Sequence, residues 1–141
     1  MINIDDDALL RQIIVKHFTK PLYKPLKNNP NSIIMEAKSN TCADELVVEI
    51  LLKNQSIKQV SFDGTACAVA TASADIFLNL ILNKTLKEVN AIIEEYQLFL
   101  NTGDCNSIDL IGDLIVFKNI HNQKNRIICA ELAIKVIKNL Q

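Results

Sequence analysis

The chain has 141 residues, of which 49% are hydrophobic and 5% aromatic, with a formal charge of -1. That length makes one domain, 1–141, whose core is built from Leu, Ile, Val and Ala, and the balanced charge gives no reason to expect a nucleic-acid or anionic-membrane surface. No apolar run reaches the ~18 residues that a membrane span needs.

The acidic opening MINIDDDALL is not a secretory signal, so a cytoplasmic location with reduced thiols is expected. Residues 5–18 place Leu9, Ile13, Val15 and Phe18 at roughly helical spacing behind acidic residues, which predicts an N-terminal helix. KPLYKPLKNNPN carries all three prolines and reads as irregular chain. SIIMEAK, ELVVEILLK and IKQVSFDG are short and rich in Val, Ile and Phe. They predict three antiparallel strands, the last two joined as a hairpin at Asn54-Gln55-Ser56, with Gly64 making the turn that ends the sheet.

From residue 66 the period becomes helical. One helix is expected over 67–82, ending at Asn83, and a capping-box pattern from Thr85 to Glu88 starts the next, to about Leu100. Residues 101–104 read as a loop, Ser107 to Val116 as a shorter helix, and 127–140 as the last one, with Ile128, Leu132, Val136 and Leu140 at four-residue steps. Strands followed by helices, without alternation, predict an α+β fold: a three-stranded antiparallel sheet packed against helices.

On that map, three of the four cysteines sit at the ends of elements. Cys42 lies in SNTCAD, between the first two strands, and Asp44 two residues later faces the same side in extended chain. Cys67 falls in the first turn of a helix, where backbone N–H groups favour a thiolate. Cys129 is placed near the start of the last helix, three residues after Arg126. If these elements converge, three sulfurs and a carboxylate surround one point. That donor set suits tetrahedral Zn²⁺, and cysteines equally hold an iron–sulfur cluster. Residue by residue, a packed thiol, a solvated carboxylate and a surface arginine account for the same positions.

The blocks N-T-C-A-D, F-D-G-T-A-C-A-V-A-T-A-S-A and R-I-I-C-A-E-L, in that order, resemble the SufU/IscU (NifU N-terminal-like) family of iron–sulfur cluster assembly proteins over nearly the whole chain. The middle block is the most specific, through Phe62, Gly64, Cys67, Ala72 and Ser73, and N-K-T at 83–85 is similar to the family's helix break. The 62 positions between Cys67 and Cys129 are similar to the SufU branch. Ile128 stands where the IscU branch has a histidine. The resemblance implies Cys42, Asp44, Cys67 and Cys129 as metal ligands. His17 and His121 are expected to be ordinary surface or partly buried residues, and Cys105 a bystander loop thiol. The sequence departs from the family at Asn40, Ala43 and the N-I-H-N-Q-K segment at 119–124.

The resemblance further implies a zinc-dependent sulfur acceptor. Cys42, on the connection between two strands rather than at a helix start, is expected to take persulfide sulfur from a SufS-type cysteine desulfurase after exchange of its place on the metal, and Arg126 is expected to steer negative charge near Cys129. A persulfide is an electrophilic sulfur, so its acceptor must be a thiolate. The alternative is a scaffold that assembles a [2Fe–2S] cluster, or holds Fe, and hands it to downstream acceptor proteins. A purely structural zinc domain is the third class. No nucleic-acid or membrane partner is expected.

Overall fold

The computed structural model describes residues 2–39 and 44–140. Helix α1 (Asp7–Thr19) is followed by strands β1 (Ile33–Lys38), β2 (Glu45–Lys53) and β3 (Ser56–Thr65). Then come α2 (Ala68–Ile81), α3 (Leu86–Thr102), the short α4 (Ile108–Ile111), a 3₁₀ run (Gly112–Ile120), α5 (Lys124–Ala130) and α6 (Leu132–Lys138). The strands form one antiparallel sheet in the order β1-β2-β3, so the α+β arrangement expected from the sequence is the one present.

The β2–β3 connection is a two-residue hairpin in which Asn54 and Gln55 both have positive φ, matching the right-handed twist of the flanking strands. One sheet face, with Leu46, Val48, Ile50, Val60 and Phe62, is buried beneath helices. The other face carries Glu49, and the proline-rich segment folds back over it. The N–H groups of Lys27, Asn28 and Asn29 donate to the Glu49 carboxylate at 2.8, 2.9 and 2.7 Å, and the Ser32 and Ser61 hydroxyls add two more bonds. Phe62 N–H donates to Tyr23 O, tying the same segment to β3.

Helix α2 is the central post of the helical layer. Its small side chains Ala70, Ala72 and Ala74 are almost fully buried, and small residues let neighbouring elements approach. It packs against α1, α5, α6, the 3₁₀ run and β3. The α1 contact is pinned by His17 Nδ1, 2.6 Å from a carboxylate oxygen of the buried Asp75, whose other oxygen accepts Tyr23 N–H.

Several sequence expectations shift. In α1 the packed side is Leu10, Ile13, Ile14 and His17; Val15 and Phe18 face outward. Helix α3 runs on to Thr102, where Gly103 at φ +83 ends it in the left-handed conformation. The single helix expected over Ser107 to Val116 is α4 followed by the 3₁₀ run, because Gly112 at φ +50 breaks the turn. The helix expected over 127–140 begins three residues earlier and divides at Glu131.

Candidate metal centre

The β2–β3 register builds one side of the site. Glu45 pairs with Thr65 and Leu46 with Gly64. Asp44 therefore stands at the mouth of β2 beside the exit of β3 into α2. Gly64 is what permits this approach: it has φ +119, and a Cβ there would lie 2.2 Å from the Glu45 carbonyl oxygen. The glycine thus serves close strand contact inside β3 rather than the sheet-ending turn expected from the sequence.

Asp44 is 6% exposed. Its Oδ1 accepts the Cys67 N–H at 2.8 Å. Cys67 is the N-cap of α2, with extended backbone (φ -66, ψ 169), and its sulfur accepts the Ala70 N–H at 3.4 Å. An N–H aimed at the sulfur, together with the positive end of a fourteen-residue helix, suits a sulfur carrying negative charge.

Cys129 comes from the opposite side. It lies in the last turn of α5, buried, and not near a helix start as the sequence reading placed it. Its place comes from packing of α5 on α2 and not from a helix N-terminus. Because α5 starts at Lys124, Cys129 falls at its end. Across these elements, one carboxylate oxygen of Asp44 and the sulfurs of Cys67 and Cys129 all lie within 4.8 Å of one another. Two thiols and a carboxylate at that spacing form a possible metal site, and the set fits an ion that takes sulfur and oxygen together, as Zn²⁺ does.

Cys42, with Asn40 and Ala43 beside it, lies outside the described residues. Ser39 N–H donates to Asp44 O, which closes the β1–β2 connection at its base. Arg126 is exposed on α5, one turn before Cys129. Cys105 is apart from the group; burial, with Glu95 and Asp104 nearby, pushes its thiol pKa upward. His17 is engaged with Asp75, and His121 Nδ1 lies 2.9 Å from Lys118 O. The altered segment at 119–124 leads directly into α5 and touches α1, where Asn119 donates to Asp7.

Two carboxylates escaped the sequence reading. Asp75 and Glu49 each interrupt an apolar run, ASADIF and VVEILL, and a lone charge inside such a run signals a buried, hydrogen-bonded anchor. Burial alone would raise the Glu49 pKa. The hydrogen bonds from Ser32, Ser61, Asn28 and Asn29 outweigh it and hold the group down at about 2.

Among the described residues, no helix is long and apolar enough to cross a membrane. The family model for the NifU-like N terminal domain matches residues 9–130. The zinc-dependent sulfurtransferase SufU of Bacillus subtilis is 26% identical over 137 residues, covering 96% of this chain and 91% of that protein. The iron–sulfur cluster assembly scaffold protein IscU of Thermotoga maritima is 26% identical over 107 residues, covering 76% and 75%. Among solved structures, a protein of Fervidobacterium islandicum AW-1, proposed as an iron–sulfur cluster assembly scaffold for the SUF system, superposes with a TM-score of 0.79. It is 23% identical, covering 91% of this chain and 93% of that one, and the likeness concerns the fold alone.

Proposed function

This chain belongs to the family of the NifU-like N-terminal domain, and from that premise we propose that it serves iron–sulfur cluster assembly as a zinc-dependent sulfur acceptor. The observation that carries this reading is the convergence of Asp44, Cys67 and Cys129 within 4.8 Å, in a chain that aligns along 96% of its length with a zinc-dependent sulfurtransferase. Residues 1–141 act as one SufU/IscU-like domain in the cytoplasm.

Asp44, Cys67 and Cys129 would hold Zn²⁺, with Cys42 as the fourth ligand. The ion supplies one thing: it keeps cysteine sulfur deprotonated at neutral pH. The chain's own residues do the rest. Cys42, which falls between β1 and β2 in the sequence, presents its thiolate, once exchanged out of the ligand set, to the persulfide of a SufS-type cysteine desulfurase. A bond forms from the Cys42 sulfur to the outer sulfur of the persulfide. The persulfide S–S bond breaks, and the desulfurase cysteine leaves as a thiolate. No external oxidant or reductant is required. Asp44 holds its place through the Cys67 N–H, and Arg126 steers anionic groups toward the Cys129 side. Downstream assembly or acceptor proteins then take the sulfur.

The second reading keeps the residues and changes the cargo: a scaffold on which a [2Fe–2S] cluster is built and passed on. The 26% identity to an IscU scaffold supports it. Elemental analysis of protein purified without added metal, with its visible spectrum, separates the two. About one zinc per chain and no colour supports sulfur transfer; iron with thiolate-to-iron absorption supports the scaffold. Cys42→Ala is expected to abolish stimulation of the desulfurase. Stimulation left intact would overturn the role of Cys42.

A further inference from the structure

Cys67 and Cys129 are 62 positions apart on two different helices, so a fixed contact between those helices must set their spacing. One contact fits that task. Ser73, six residues beyond Cys67 and inside α2, is 1% exposed. Its hydroxyl donates to the carbonyl of Ala130 at 2.7 Å, and Ala130 follows Cys129 directly. The Ser73 oxygen also lies 2.8 Å from the hydroxyl of Tyr96, on α3.

A serine has one hydroxyl proton. With that proton given to Ala130, Tyr96 must be the donor to Ser73. Tyr96 is fully buried, and burial pushes its phenol above the ordinary range, so it keeps the proton it donates. Three helices are thus joined at one hydroxyl, in a region without solvent to replace a lost bond. Buried networks of this kind, when satisfied, fix a single arrangement.

We propose that Ser73 is a positioning residue for the metal centre, with Tyr96 as its support: the Tyr96–Ser73–Ala130 chain locks α5 against α2 and so sets the distance between the Cys67 and Cys129 sulfurs. The zinc part of this inference rests on the proposed function; the distance part does not. Side chains that orient metal ligands without touching the ion commonly change affinity 10- to 100-fold when removed.

The test compares wild type, Ser73→Ala, and a substitution at Ile57 (Val or Ala, whichever matches the Tm loss of Ser73→Ala). Ile57 is buried at the far end of β3 from the site. Zinc affinity is read by competition with a chromophoric chelator, and ligand geometry by the absorption of the Co²⁺-loaded protein. In metal-free protein, a short bifunctional thiol alkylator, dibromobimane, reports how readily Cys67 and Cys129 are bridged, with the linked peptides identified by mass spectrometry. Ser73→Ala is expected to lose zinc affinity about tenfold or more, to alter the Co²⁺ spectrum and to slow the Cys67–Cys129 bridge. The Ile57 variant should match wild type in all three. Unchanged bridging and affinity in Ser73→Ala, or an equal loss in the Ile57 variant, would overturn the proposal. If wild type binds no zinc, the zinc reading falls, and the bridging rates alone decide the role of Ser73.

Discussion

The backbone N–H of Cys67 donates to the carboxylate of Asp44 at 2.8 Å, joining the N-cap of α2 to the entrance of β2. One side chain of the candidate centre is therefore held by the backbone of another. Asp44→Ala removes both a donor atom for metal and this brace, and zinc affinity should fall by more than about 100-fold, beyond what loss of an outer partner costs. Asp44→Asn keeps an oxygen to accept from Cys67 N–H and should fall less. Chelator competition on the two variants checks the order; equal losses would mean that the brace contributes nothing.

Gly64 sets how closely Asp44 approaches Cys67. Gly64→Ala puts a methyl group 2.2 Å from the Glu45 carbonyl oxygen at a φ of +119. Backbone has to move, and the expected cost is at least about 2 kcal/mol. Urea denaturation should show that loss, and the metal site should weaken with it, because the strand ends part where Asp44 and Cys67 meet.

Acid should expose the Glu49 anchor. Its carboxyl is held at about 2 in the fold against an ordinary value of 4.5. As pH falls below 4.5 the unfolded chain takes up a proton at this position and the folded chain does not, so this contribution is lost progressively down to about pH 2. Glu49→Gln should cost about 3 kcal/mol at neutral pH and should flatten the stability profile across that acid window. Urea midpoints followed from neutral pH down to about 3 measure both; parallel profiles for the two proteins would refute the assignment.

The His17–Asp75 contact holds α1 on α2. His17→Ala leaves a carboxylate that is 0% exposed with one partner fewer, and a loss of about 2–3 kcal/mol is expected. Asp75→Asn retains an acceptor for Tyr23 N–H and should cost less. Hydrogen exchange in α1, compared with α3, would show whether the loss is local to the helix that His17 pins.

Local signals served well where neighbours in sequence decide the structure. The strand pattern from 45 to 53, the left-handed Asn83 and the capping box at Thr85 all stand as read, and the expected hairpin forms with a turn of Asn54 and Gln55 alone, Ser56 already belonging to β3, because each is settled by side chains within a few residues. The motif blocks likewise mark Asp44, Cys67 and Cys129 as companions, and the fold brings one donor atom of each within 4.8 Å of the others. Where the reading slipped, distance in sequence was the reason. Val15 and Phe18 have helical spacing, but which face of α1 turns inward depends on Asp75, 58 positions beyond His17. Gly64 looked like a turn because the Glu45 carbonyl that crowds it lies on another strand.

What the sequence by itself determined was the inventory: an α+β order of elements, and sulfur and carboxylate donors at element ends. Only the tertiary structure decided how those donors meet. The β2–β3 register, the close approach at Gly64 and the packing of α5 on α2 bring together residues up to 85 positions apart, from Asp44 to Cys129. Helical period and strand alternation describe faces within an element. They carry no information on the distance between elements, which is set by packed side chains and by hydrogen bonds such as that from Ser73 to Ala130.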